Sequence, residues 1–420
     1  MLKKIQIKGL FDKFDYDIEL KEGGLTILTG PNGYGKTTIL KVIDAVASGN
    51  LALFFRLPFS EIALTQAENK IIHLENEREK LVIQSEDKEI IASKKEDIIN
   101  KGTALIELFT DHTNRENKQL DLNSISNFNA LLRENHRELS TSIYKEWIPS
   151  FVDVYLVPEQ RLVRKPIVID KTAITYKFFG NNPYHKIDAY SEELREKIKN
   201  ILSGRSTKIG QELDASFPER LFNETGSISE QEFNERFDST KSKQKSLSLY
   251  GLSTVDEERR VFFGKENAKA LLVYLNDMEK KLAVFDDILQ RLDLFSSILN
   301  RRQFVSKQIE ISPEFGFRFK TEDGQELPLT ALSSGEQQEV VLLYELLFRV
   351  EPDTLVLIDE PEISLHVAWQ MEFLDDLLEI IELQKITVLV ATHSIDIIDK
   401  HEDLIVDLWD LDTGFERSPA

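Results

Sequence analysis

Cysteine is absent from the 420 residues. That excludes a disulfide framework, a thiolate nucleophile and a cysteine zinc site. No run of about eighteen apolar residues occurs, so no membrane-spanning helix is expected. Met1-Leu-Lys-Lys leads straight into alternating, strand-like residues where a secretory leader would place an apolar stretch, and the chain reads as cytoplasmic with no membrane contact. Basic residues are outnumbered: 52 Lys and Arg stand against 73 Asp and Glu, a formal net charge of −21. Such a balance argues against a broad nucleic-acid face, although a local basic patch remains compatible with it, so direct nucleic-acid binding stays uncertain. A chain of this length buries a sizeable core and favours two lobes, or one domain with a large insertion.

What is present centres on Gly30 to Thr38, GPNGYGKTT, which fits G-x-x-x-x-G-K-[ST]. In that pattern a glycine-rich loop turns backbone N–H groups inward and the following helix presents its N-terminus, which together cradle phosphate oxygens. Gly30, Gly33 and Gly35 let the chain bend and approach closely, and Asn32, Tyr34 and Thr38 complete the nucleotide-binding run. Lys36 is placed to reach the β- and γ-phosphates, and the Thr37 hydroxyl to join the coordination shell of Mg²⁺. LTILTG before the loop reads as a buried strand. TTILKVIDAVAS after it reads as a helix with Ile39, Leu40, Ile43 and Val46 on one side.

Residues 1–58 read as an N-terminal lobe in which KKIQIKGL and FDYDIEL are strands and Gly23-Gly24 turns the chain into the loop strand. Phe11, Phe14 and Tyr16 are either core residues or contacts to an adenine ring. Residues 59–150 are charged and glycine-poor, and Leu64, Ala67, Ile71, Leu74 and Leu81 keep a three-four spacing, which predicts a helical insertion. It serves either as a partner-binding arm or as a solvated helical hairpin. Residues 151–264 hold a return strand, FVDVYLVPEQRL, and a polar region. Gln160 lies just past that strand's end, where ligand-facing loops of α/β domains usually sit, and reads as a Mg²⁺ or water contact or as a turn residue. From Asn223 to Arg260 the weakly apolar composition predicts a mobile loop or linker.

Residues 265–302 carry a regular stripe, Leu271, Leu275, Met278, Leu282, Phe285, Leu289, Leu292 and Leu299, which predicts one long helix packed on the 64–81 stripe or on the body of the domain. Residues 303–420 form the C-terminal lobe, with QFVSKQIEIS and FGFRFK as strands and a hairpin closed at Asp323-Gly324. LSSGEQQEVVLLYELL places Ser333, Ser334 and Gly335 at a helix N-terminus, as an anion site or as a plain cap. TLVLIDE is an apolar strand that runs into Asp359 and Glu360. Two carboxylates at the mouth of a buried strand fit a metal-linked Asp359 and a water-activating Glu360. KITVLVATHS is another apolar strand, ending at His393.

Taken together these residues resemble the ABC-type ATPases of the SMC, DNA-repair and OLD (overcoming lysogenisation defect) group. GPNGYGKTT looks like their Walker A, LSSGEQQ like the LSGGQ signature, LVLIDEPE like Walker B and VLVATHS like the switch-histidine strand. The resemblance implies an α/β, two-lobed ATPase head, a mixed sheet around a phosphate loop with a helical, coiled-coil-like insertion. It also implies ATP and Mg²⁺, and a homo-oligomer in which two heads clamp two ATP molecules. Carried over, Lys36 and Thr37 hold phosphate and metal, Asp359 and Gln160 support the metal, and Glu360 polarises water. His393 senses the γ-phosphate, while Ser333, Ser334, Gly335 and Glu336 contact the ATP of the opposite subunit. Ser334 stands where the signature usually has Gly, and Glu336 where it has Gln. LIDEPEISLHVAWQ with YLVPEQRL looks most like the ATPase subunits of anti-phage systems of the PARIS and Septu kind, which implies a separate nuclease or toprim effector protein. Residues 395–420 are expected to add no such domain. Three other classes share part of the pattern: a transporter nucleotide-binding subunit, an SMC-like DNA-repair factor, and a binding module that would have no need of Glu360.

Overall fold

The computed structural model describes residues 1–77, 80–85, 88–96, 104–110, 118–121, 151–157, 163–164, 168–169, 176–177, 184–253, 261–302, 304, 307–398 and 401–411. The chain divides into two compact units, residues 1–183 with 349–420, and residues 184–348.

Among the described residues the first unit holds two large sheets, of eight and five strands. In the N-terminal stretch β1 (Leu2–Leu10) and β2 (Phe14–Glu19) form an antiparallel pair, with Ile5, Ile7, Tyr16 and Ile18 turned into the core. β3 (Leu25–Thr29) is buried at every position, and α1 (Lys36–Ser48) follows the glycine loop. The next segment departs from the helical expectation. Residues 61–121 run as a strand meander, β4 (Glu61–Gln66), β5 (Ile71–Glu77), β6 (Lys80–Ser85), β7 (Lys88–Glu96), β8 (Ala104–Thr110) and β9 (Lys118–Asp121). The sheet order is β2-β1-β4-β5-β6-β7-β8-β9, all antiparallel.

The physical reason lies in a period-two pattern that the three-four spacing masks. Ile62 and Leu64, Ile72 and Leu74, and Leu81 and Ile83 are buried to within a few per cent, and they alternate along their strands. Ile71, a member of the supposed helical stripe, is 47% exposed. Glu68 and Asn69 adopt positive φ and turn the chain between β4 and β5. Residues 122–150 of the expected insertion lie outside the described residues.

The second sheet of this unit is parallel, and it includes β10 (Val154–Val157), β14 (Leu355–Asp359), β15 (Thr387–Ala391) and β16 (Ile405–Asp407) in the order β10-β14-β15-β3-β16. Asp359 is in register with Ala391, and Ala391 with Leu28. The carboxyl ends of β3, β14 and β15 therefore lie side by side, which is where open α/β sheets bind ligands.

The second unit carries the helical insertion. α2 (Lys186–Asn200) continues through a π turn into α3 (Thr207–Asn223), followed by α4 (Glu230–Leu249). The last overturns the expectation of a loop between Asn223 and Arg260. Ser229 caps α4 by accepting from Glu232 N–H, and only Phe233, Thr240 and Leu247 are buried on it. Arg236 binds Glu279 at 2.8 Å from the neighbouring helix, so polar side chains hold what apolar content does not reveal.

The 265–302 stripe forms two helices, α5 (Ala268–Ala283) and α6 (Asp286–Arg301), rather than one. The break falls at Val284-Phe285, and the stripe crosses it: Leu271, Leu275 and Leu282 on one side, Leu289, Leu292 and Leu299 on the other, are all buried. Its partners are in its own unit. Phe233 of α4 clusters with Ala268, Leu271 and Leu275, and Phe295 of α6 packs edge-on to Phe317 at 5.7 Å. β11 (Lys307–Ser312), β12 (Gly316–Thr321) and β13 (Glu326–Leu327) form the expected hairpins, with Gly324 at φ 78 in the second turn. α7 (Ser334–Tyr344) completes this unit, and α8 (Val367–Gln384) returns to the first.

Candidate nucleotide site

Backbone sterics shape the loop between β3 and α1. Gly35 stands at φ 88 as the N-cap of α1, and a Cβ there would come within 2.9 Å of Leu10 Cδ2. Gly30 stands at φ 134, with Leu408 Cβ 3.3 Å from where its own Cβ would be. Having no side chain, Gly35 leaves the first N–H groups of α1 without a side-chain cap, and no acidic residue occupies the first turn. Uncapped donors at the positive end of a helix dipole favour an anion. Lys36 is 5% exposed and its Nζ donates to Gly30 O at 2.7 Å. Asn32 and Gly33 lie exposed on the loop, with Thr37 and Thr38 half-buried behind it.

β14 brings the acid pair to this loop. Thr37 Oγ1 donates to Asp359 Oδ1 at 2.9 Å, joining residues from the two ends of the sequence. Glu360 follows with φ 42 and ψ 64, a left-handed conformation that costs a non-glycine residue about 1–3 kcal/mol. Its backbone N–H is held by Ala391 O at 2.9 Å, and its side chain stays 22% exposed. His393, from the end of β15, places Nδ1 3.6 Å from Glu360 Oε1. Lys36, Thr37, Asp359, Glu360 and His393 are thus gathered at one end of the parallel sheet.

Of the two readings of the N-terminal aromatics, Phe14 and Tyr16 take the core one. Phe14 and Tyr16 are buried, and Tyr16 Oη donates to Tyr34 O at 2.8 Å. The Tyr34 ring lies 5.0 Å from Phe14 and 5.5 Å from Trp409. Of Phe11, Phe14 and Tyr16 only Phe11, at 40%, remains exposed. Trp409 had no motif to announce it. Glu362, the last residue of LVLIDEPE, has a buried carboxylate that accepts from Thr392 Oγ1 at 2.7 Å and from His393 N–H at 2.8 Å.

The signature residues lie in the second unit. Ser333 caps α7 in a reciprocal box: its hydroxyl accepts from Glu336 N–H at 3.3 Å, and Glu336 Oε2 accepts from Ser333 N–H at 2.7 Å. Lys307 Nζ lies 2.7 Å from Glu336 Oε1. Burial works against the charge on Glu336, yet Lys307 and Ser333 outweigh it and hold the carboxyl below its ordinary value. Ser334 and Gly335 form the first turn of α7 beside this cap. Gln160 lies outside the described residues.

Thr37 Oγ1 and Asp359 Oδ1 are two hard oxygen donors beside a phosphate loop, and that donor set fits Mg²⁺. A glycine loop with its lysine and threonine, faced by an acid pair at the end of another strand of the same parallel sheet, defines a phosphate-loop nucleoside triphosphatase. Residues 1–398 match the AAA ATPase domain family, and the chain belongs to it.

An OLD nuclease from Thermus scotoductus is 52% identical over 46 residues, which is 11% of this chain and 8% of that protein. The shared segment is therefore a small part of the relative's length. The Smc head domain of Pyrococcus furiosus, solved with an extended coiled coil and bound to the C-terminal domain of ScpA, covers 97% of this chain and 92% of its own at 16% identity and a TM-score of 0.36. A putative ABC transporter ATP-binding protein from the same organism covers 98% and 100% at 13% identity and a TM-score of 0.33. At those scores the structural likeness carries no argument about function.

Proposed function

We infer that the chain is an ATP-driven switch: two heads pair across two ATP molecules, hydrolysis separates them, and a separate effector protein, a nuclease or toprim protein of an anti-phage system, responds. The observation that carries the nucleotide chemistry is the Thr37–Asp359 hydrogen bond at 2.9 Å, with Glu360 next in sequence. Lys36 would leave Gly30 O for the β- and γ-phosphates, and the loop N–H groups would take the remaining phosphate oxygens. Mg²⁺, when bound, would be held by Thr37 and Asp359, with Gln160 as a third ligand, and would neutralise charge between the β- and γ-phosphates. Glu360 accepts a proton from the attacking water, and His393 meets the γ-phosphate.

In the pairing step the N-terminus of α7 meets the ATP of the opposite head. Ser334 and Gly335 offer backbone N–H groups there. Glu336, tied into the cap and to Lys307, shapes that turn rather than presenting a free charge to phosphate. Support for the effector reading is the likeness of LIDEPEISLHVAWQ to anti-phage ATPase subunits and the short match to an OLD nuclease. Such a protein works in the cytoplasm, in keeping with a described chain in which no helix is long and apolar enough to cross a membrane.

The test is a pull-down of tagged Glu360→Gln protein from its native cell in ATP, with solution mass measured by light scattering with and without ATP. A doubled mass in ATP and recovery of a nuclease or toprim protein are expected. An unchanged mass contradicts ATP-gated pairing. Recovery of only DNA or only membrane subunits contradicts the effector reading in favour of a repair factor or a transporter subunit.

A further inference from the structure

Glu362 closes the LVLIDEPE run, beyond the acid pair Asp359 and Glu360. It stands two residues beyond Glu360, on the turn that carries the chain from β14 to α8, with its side chain 7% exposed. One oxygen, Oε1, collects three groups from the end of β15. It accepts from Thr392 Oγ1 at 2.7 Å and from the His393 backbone N–H at 2.8 Å, and His393 Nδ1 lies 3.0 Å away. Oε2 is buried with no hydrogen-bond partner among the described residues. A buried carboxylate is costly unless donors converge on it, so this convergence is a built feature of the strand end. The next residue is pinned as well, since Ser394 Oγ donates to Gln370 Oε1 of α8 at 2.7 Å.

The His393 ring has two carboxylates near one nitrogen, Glu362 Oε1 at 3.0 Å and Glu360 Oε1 at 3.6 Å. A proton on Nδ1 is favoured by the two carboxylates beside it, and a ring nitrogen so engaged leaves the other one for other work. We propose that Glu362 is a positioning residue for ATP hydrolysis: it holds His393 with a proton on Nδ1 and away from Glu360, so that Nε2 meets the nucleotide and the Glu360 carboxylate stays available to the attacking water. The same oxygen fixes the backbone of His393 and the hydroxyl of Thr392, so ring and main chain are set together. Without Glu362 the nearest carboxylate to Nδ1 is Glu360, and the ring turns to pair with the group that should receive the water's proton. The proposal rests on the roles given above to Glu360 and His393.

The test uses the full chain labelled with ¹⁵N-histidine. Two-bond ¹H–¹⁵N spectra read the tautomer of His393, assigned by its loss in His393→Ala, while turnover and ATP affinity are measured on the same samples. Glu362→Ala is expected to remove the Nδ1–H pattern of His393 and to lower kcat by about 10- to 100-fold with ATP affinity unchanged within about twofold. Glu362→Gln, whose amide oxygen still accepts, is expected to recover the Nδ1–H pattern and part of kcat. An unaltered His393 spectrum in Glu362→Ala, an unaltered kcat, or a loss of ATP affinity in step with kcat overturns the proposal.

If Glu362→Ala fails to fold, Glu362→Asp keeps the charge and withdraws the acceptor by one methylene. The same spectral change and a kcat lowered by about tenfold are then expected, and parental values of both overturn the proposal. Failure of the underlying reading looks different: His393→Ala would turn over at the parental rate, whatever Glu362 does to the spectrum.

Discussion

Thr37 Oγ1 and Asp359 Oδ1 share a hydrogen bond of 2.9 Å, and through it the first turn of α1 meets the last residue of β14. Thr37→Val keeps the shape of the side chain and removes the hydroxyl. A hydrogen bond to a charged group is worth about 1.5–3 kcal/mol, so Mg²⁺-supported ATP affinity should fall by about tenfold or more. Calorimetric titration with ATP in Mg²⁺ and in chelator checks this: the parent binds more tightly in Mg²⁺, and the variant loses that advantage. Lys36→Ala should abolish ATP binding under both conditions.

Two substitutions at Ser333 separate its local role from its proposed role across the subunit boundary. Ser333→Ala breaks the capping box and should destabilise the protein by about 1 kcal/mol, measured by urea unfolding. Ser333→Arg should leave ATP binding at the parental level yet stop turnover, because a long cation would stand where the opposite head's ATP must seat. Parental turnover in Ser333→Arg would exclude a signature acting in trans.

The cap also carries a pH signature. In the folded chain Glu336 titrates below its ordinary value of 4.5, because the Lys307 ammonium and Ser333 N–H outweigh the burial that opposes its charge. A lowered carboxyl stabilises the fold fully above its unfolded value and loses that contribution as pH falls through the folded one. The stability gap between the parent and Lys307→Met should therefore be full at neutral pH and shrink as the pH falls below the ordinary carboxyl value of 4.5. Urea unfolding at pH 7, 5 and 3.5 reads the gap, and a gap constant with pH would contradict the pairing.

Arg302 and Glu339 form a pair 3.3 Å apart in the core of the helical unit, each side chain 1% exposed. Removing one member of such a pair leaves buried charge and costs roughly 3–5 kcal/mol. Arg302→Ala should show that loss in denaturant midpoint, whereas Arg302→Met together with Glu339→Leu should recover most of it. A single variant as stable as the parent would show that the pair does not hold this core.

Much of the site was legible because its chemistry is local. A glycine loop between a buried strand and a helix, and two acids ending an apolar strand, are short-range patterns that register in the sheet then places side by side. The misread regions are those where two patterns coincide or where polar contacts replace apolar ones. Leu64, Leu74 and Leu81 satisfy a helical spacing and also lie on alternate positions of β4, β5 and β6, and only strand pairing distinguishes the two. α4 reads as a linker because its hold on α5 is one buried aromatic, Phe233, with the Arg236–Glu279 ion pair rather than a continuous apolar stripe. Glu362 was silent because nothing near it in sequence shows that Thr392 and His393 will converge on it.

Glu360 is where the assignment is most exposed, and the first measurement is ATP binding and ATP turnover on Glu360→Gln side by side. The amide keeps the shape and the strained backbone but cannot accept the water's proton, so ATP affinity should stay within about threefold of the parent while turnover falls by about 10²- to 10⁴-fold. Turnover within about twofold of the parent, with binding intact, would show that Glu360 does not activate the water and that the acid pair at the end of β14 serves another purpose.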